Sequence, residues 1–155
     1  MPLVNVVKKI EKARSDLGLA PGEQVLAGCT TNPKGTMTRM TAQQLGGIAG
    51  ALVADRKARR ADDAVSDEIG LAAAFVPGQN FLVLTDHRLL LVKMSAMTGK
   101  PKELLASWTR GELADIVVEE GRLAYPMTVV FSDGTAVRVE GAKGSNPKSL
   151  VSALH

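Results

Sequence analysis

NFLVLTDHRLLLVKM, residues Asn80–Met94, decides the fold. Two apolar runs, Phe81-Leu82-Val83-Leu84 and Leu89-Leu90-Leu91-Val92, flank the polar insert Thr85-Asp86-His87-Arg88. Apolar runs of about four to eight residues bounded by turn formers fit buried strands better than helices. Asp86 suits a turn, because its short carboxylate hydrogen-bonds backbone N–H groups nearby. The stretch therefore predicts a tight β-hairpin at the centre of an antiparallel sheet.

Downstream the pattern continues as short strands. After a loop at Met97-Thr98-Gly99-Lys100-Pro101, Glu103–Thr109 and Glu112–Glu119 read as two strand segments near Gly111. Trp108, the only tryptophan, is expected as a core or rim anchor. Glu120-Gly121 makes a turn, and Leu123–Phe131 alternates at Met127, Val129 and Phe131. Asp133-Gly134 then signals a hairpin of the primed type, which needs positive φ. Val137 and Val139 face one way in the strand that follows, Arg138 and Glu140 the other. Asn146 is expected to cap a last helix, with Pro147 in its first turn and Leu150, Val151 and Leu154 on one face. That helix should close an open end of the sheet.

Upstream, residues 1–19 predict an amphipathic helix. Leu3, Val6, Val7, Ile10, Ala13 and Leu17 keep helical spacing, and Lys8, Lys9, Glu11, Lys12 and Arg14 fill the other face. Its stripe is expected to pack on the sheet or on a second copy of the chain; lying on a membrane is the alternative. Glu23–Thr31 reads as a first strand, followed by turn chemistry at Asn32-Pro33-Lys34-Gly35. Thr41-Ala42-Gln43-Gln44 matches a capping box and opens a helical insert over 41–65. Within it Leu45–Ala54 is apolar on every side, with Gly46 and Gly50 four residues apart on one face. Arg56, Lys57, Arg59 and Arg60 follow directly. The preferred reading is a core-facing or dimer-forming helix whose last turns carry cations that suit its dipole. The alternative is shallow insertion under anionic head groups. Asp62–Gly70 reads as a linker or a fraying helix end, and Leu71–Val76 as a short strand before Pro77-Gly78.

Size and charge narrow the class. A chain of 155 residues is expected to form one domain with a core large enough to need no staples. One cysteine, Cys29, excludes an intramolecular disulfide framework and a multi-cysteine zinc site, and it reads as a small buried hydrophobe. No signal peptide is visible and no apolar run nears the ~20 residues of a spanning helix, so a cytoplasmic location, peripheral at most to the inner membrane face, is expected. Residues 1–60 carry ten Lys/Arg against four Asp/Glu, and residues 61–155 nine against twelve; the net +3 thus hides halves of +6 and −3. A basic front half can touch phosphates or anionic lipid, though a solvated face is the commoner meaning of so modest an excess.

The order of these motifs resembles the bacterial pleckstrin-homology-like and GRAM-like domains. That family has a Leu-Thr-Asp-x-Arg-Leu hairpin, matched here by Leu84, Thr85, Asp86, Arg88 and Leu89. An Ile-x-x-Val strand follows, matched by Ile116 but with Glu119 where Val is usual. A last hairpin matches at Phe131, Asp133 and Gly134. The resemblance covers roughly 20–155; the N-terminal helix and the glycine-rich basic insert depart from it. It implies an α+β, mainly β fold: a partly open barrel of about seven antiparallel strands in two roughly orthogonal sheets, plugged by the C-terminal helix. It also implies a domain that binds lipids or protein segments without catalysis. The lipid-binding members use Lys/Arg between the first two strands, which here corresponds to Lys34 and Arg39, with Arg56, Lys57, Arg59 and Arg60 added by the insert.

No catalytic constellation stands out. His87 lies in the expected hairpin turn and His155 is the last residue; neither adjoins a Ser or Cys in an elbow context. Metal-ligand spacing is missing, and Gly46-Gly47 lacks the Lys-Ser/Thr that completes a phosphate loop. No cofactor or small-molecule substrate is expected. Nucleic acid is disfavoured as a partner, because one Trp, one Tyr and three Phe make a poor stacking platform. The expected function is a non-enzymatic binding module that engages a protein partner or a second copy through a face including Leu45, Gly46, Ile48, Gly50 and Leu52. Contact of the basic insert with anionic lipid is the alternative.

Overall fold

The computed structural model describes residues 5–31, 38–40, 70–76 and 78–155. Its strands, in chain order, are β1 (Val25–Thr30), β2 (Thr38–Met40), β3 (Asn80–Thr85), β4 (Arg88–Met94), β5 (Pro101–Thr109), β6 (Leu113–Val118), β7 (Ala124–Phe131) and β8 (Ala136–Ala142). Among the described residues two α-helices flank them, α1 (Val6–Lys12) and α2 (Lys148–Leu154). The protein is mainly β. One antiparallel sheet has the order β1-β3-β4-β5; the other is the ladder β8-β7-β6, to which the short β2 adds a fourth strand beside β8.

The hairpin of residues 80–94 forms as expected, with Phe81 opposite Val92, Leu82 opposite Leu91, Val83 opposite Leu90 and Leu84 opposite Leu89. Side chains alternate between the faces of a strand. Leu82, Leu84, Leu89 and Leu91 therefore enter the core between the sheets, with Trp108, Ile116, Phe131 and Val137. Phe81, Val83, Leu90 and Val92 form a second cluster with Val6, Ile10 and Leu17 of the N-terminal segment. Both faces of this hairpin are buried, which is why its sequence shows continuous apolar runs instead of alternation.

Helix α1 is shorter than the periodicity predicts. It starts at Asn5, whose side chain accepts from the Lys8 N–H, and ends at Lys12, after which turns carry the chain to Gly18. Two helical turns are marginal in water alone. Packing of Val6 and Ile10 on the outer face of the first sheet holds the segment, so the stripe does meet the sheet. Gly28 of β1 permits the close approach, since a Cβ there would lie 2.6 Å from Val6 Cγ1.

Three further expectations need correction. Leu71–Ala74 is a 3-10 turn and not a strand. The β7–β8 loop is not a primed turn: Gly134 has φ 89°, but Asp133 does not share the positive φ that such a turn requires at both centres. The Gly134 N–H donates to Phe131 O and the Phe131 N–H to Thr135 O, the pattern of a three-residue loop with glycine in the left-handed position. Asn146 does not cap α2 with its side chain. It takes φ 60° at the end of the 3-10 turn Lys143–Ser145, and Pro147 precedes the helix. Leu150 is nonetheless buried in the main core, and α2 packs on β1, β3 and β6, spanning both sheets.

A single bridge between Thr31 and Gly141 joins the sheets at one corner, and the described strands form no closed barrel. The Thr30 N–H donates to Ser145 Oγ at 3.0 Å, so the 3-10 turn before α2 occupies the edge of β1 beyond that bridge.

Candidate functional site

Most of the sequence-predicted site lies outside the described residues. That holds for Lys34, Arg56, Lys57, Arg59 and Arg60, for the face Leu45, Gly46, Ile48, Gly50 and Leu52, and for the capping box at Thr41. Arg39 is placed on β2, opposite Val137 of β8. The structure does fix how the insert is mounted. Met40, the last described residue before it, pairs with Ala136 at the start of β8. Where the chain becomes described again, the Leu71 N–H donates to Asp133 Oδ2 at 2.7 Å and the Ala72 N–H to Thr135 Oγ1 at 3.1 Å. Segment 41–69 thus leaves and returns at one corner, beside the β7–β8 turn.

That returning stem is anchored in the core. Phe75 is buried and stacks on Trp108 at 5.8 Å between ring centroids, and Trp108 lies 5.1 Å from Phe131. Trp108 Nε1–H donates to Leu71 O at 2.9 Å, which satisfies the polar edge of the buried indole. At the far end of the stem Thr31 Oγ1 donates to Gly78 O and accepts from the Asn80 N–H.

The residues that carry the family resemblance are occupied in holding the fold. Thr85 Oγ1 donates to Glu23 Oε2 at 2.7 Å and accepts from the His87 and Arg88 N–H groups. Arg88 reaches Glu23 through Nε at 3.0 Å and Nη2 at 3.3 Å, and Nη2 also donates to Gly18 O. Burial opposes the charge of Glu23, which is only 1% exposed. Bonds from Arg88, Thr85 and the Ala20 N–H outweigh that and hold its carboxyl below the ordinary 4.5. Asp86 accepts from the Gln24 N–H at 2.9 Å and meets His87 Nδ1 at 2.6 Å; the Gln24 bond, then His87, hold it below the usual carboxylate range. This cluster clamps the segment before β1 to the β3–β4 turn. Glu23 escaped the sequence reading, since a lone Glu before a strand gives no sign of a partner 65 positions on.

Cys29 is fully buried, and burial pushes its thiol up to about 12, far from a reactive thiolate. His155 Nε2 lies 3.4 Å from Asp115 Oδ1 at the end of α2. Among the described residues no three His, Cys, Asp or Glu side chains converge as a metal site, and no buried side-chain polar atom lacks a hydrogen bond. No described helix is long and apolar enough to cross a membrane. No family model matches the chain, and no curated protein matches it.

Proposed function

We propose that this chain is a non-catalytic binding module of the pleckstrin-homology-like type, which engages a protein partner or a second copy of itself through the insert at 41–65. The observation that carries the reading is the mounting of that insert. A two-sheet frame holds both of its stems at one corner, by β2–β8 pairing on one side and by Asp133, Thr135 and Trp108 on the other. A segment so held, with small residues at Gly46 and Gly50, suits close helix approach. The strand order supports the family assignment: without β2 and the insert, β1 and β3–β5 form a four-strand meander, β6–β8 a three-strand one, and a helix follows.

Assembly by edge pairing is disfavoured. The long edge strand β5 starts with Pro101, carries Lys102 and Glu103, and is interrupted by two register shifts against β4, all devices that blunt a sheet edge. Light scattering tests the reading. The expected result is a mass above the monomer that Gly50→Leu lowers; a monomer unchanged by Gly50→Leu would contradict self-assembly through this face.

A second reading, contact with an anionic membrane, draws support from the cations Arg56, Lys57, Arg59 and Arg60. Fold likeness alone does not select a ligand, so the two readings are separated by experiment.

A further inference from the structure

Val130 of β7 and Ala136 of β8 are fully buried, yet they belong to neither core cluster. Every other buried apolar residue among those described belongs to one of them. The two sit opposite each other in the ladder. Their neighbours in sequence, Val129, Phe131 and Val137, enter the core between the sheets. Side chains alternate along a strand, so Val130 and Ala136 stand on the outer face of the second sheet. Thr128, two residues from Val130 on that face, is only 2% exposed. Neighbours as small as Ala136 and Thr128 do not hide a valine from water, so a further layer of chain lies on this face.

No second chain contributes to this burial, so the layer is part of the same chain. The described segments outside the sheets take other places. Helix α1 and the turns after it lie on the outer face of the first sheet, and α2 packs on β1, β3 and β6. Residues 70–76 meet β2 and β8 but send Ala72 and Phe75 into the core. Of the remaining chain, 1–4 adjoin α1, and 32–37 link Thr31, beside Gly141, to Thr38, beside Arg138. Segment 41–69 has both the length and the position. It leaves from Met40, directly opposite Ala136, and comes back at Leu71, bonded to Asp133 in the turn that joins β7 to β8. As a helix, its apolar run Leu45–Ala54 would be about 15 Å long. The sheet from β2 to β6 is about as broad, three strand spacings of roughly 4.8 Å. Gly46 and Gly50 in that run permit close approach to a neighbouring surface.

We infer that segment 41–69 folds back over the outer face of the second sheet and buries Val130, Ala136 and Thr128 under its apolar run. Both sheets are then covered on the outside, the first by the N-terminal segment and the second by the insert. The inference goes beyond the binding-module reading and holds whether or not the chain self-assembles. It also accounts for a run that is apolar on every side: one side covers the sheet and the other is left for a partner.

Maleimide labelling of the full chain carrying Val130→Cys tests it. The Cys29 thiol, fully buried and pushed up to about 12, stays silent while the frame is folded and reports any unfolding. The expected result is protection of the introduced thiol that persists on dilution. Labelling should become about tenfold faster or more with Leu45→Asp, Ile48→Asp, Leu52→Asp and Val53→Asp together, while Cys29 remains silent. If Cys29 reacts in either chain, Thr128→Cys and serine at the same four positions take their place.

Rapid labelling at position 130 in the otherwise unsubstituted chain, with Cys29 silent, would overturn the inference. So would protection that the four substitutions leave unchanged. Protection lost on dilution would overturn it as well, but would move the cover to a second copy and so favour the self-assembly reading.

Discussion

The contact of Glu23 with Arg88 matters at the scale of single residues, because it ties the N-terminal segment to the central hairpin. A carboxylate this buried is tolerated only because bonds from Arg88, Thr85 and the Ala20 N–H replace its water. Glu23→Gln keeps the shape and removes the charge, and is expected to destabilise by about 1–3 kcal/mol at neutral pH. The pH dependence has a fixed sign. A carboxyl whose folded pKa lies below its ordinary 4.5 stabilises the fold above that value, and the contribution is lost as pH falls through the lower folded value. Urea midpoints should therefore fall below about pH 4.5 more steeply in the unsubstituted chain than in Glu23→Gln. Asp86, also depressed, contributes to the acid limb of both. Parallel curves would refute the role given to Glu23.

At the scale of elements, α1 depends on one close approach. An alanine at Gly28 would put its Cβ 2.6 Å from Val6 Cγ1 and 3.3 Å from Leu82 O, so α1 or β1 must shift. Gly28→Ala should cost about 1–3 kcal/mol by overpacking. Val6→Ala removes the obstacle while losing buried area, so the double variant should lose clearly less than the sum of the single losses in chemical denaturation. Strict additivity would mean that the helix does not rest on β1 there. Legibility also varied by element. The hairpin at 80–94 was readable because turn chemistry bounds both apolar runs, and Asp133-Gly134 because glycine supplies a positive φ. The run Leu71–Val76 was not, since a short apolar stretch looks the same whether it is a strand or a turn with one buried aromatic. Asn146 likewise looked like a cap, because asparagine suits both a helix cap and the left-handed conformation it takes here.

At the scale of the whole molecule, the order of the motifs carried the mainly β architecture, but their long-range partners did not show in the sequence. Neither the Thr31–Gly141 bridge nor the Asp133 and Thr135 bonds to Leu71 and Ala72 has a local signature. The candidate cations were legible as a cluster at 56–60.

The mounting of the insert depends on two meanders locked at the Thr31–Gly141 corner around the central hairpin, and cross-strand nuclear Overhauser contacts test this most directly. The expected set links Phe81 with Val92, Val83 with Leu90, and Thr31 with Gly141 through backbone protons. Unbroken sequential amide contacts of helical type through residues 81–92, with no Thr31–Gly141 contact, would contradict it.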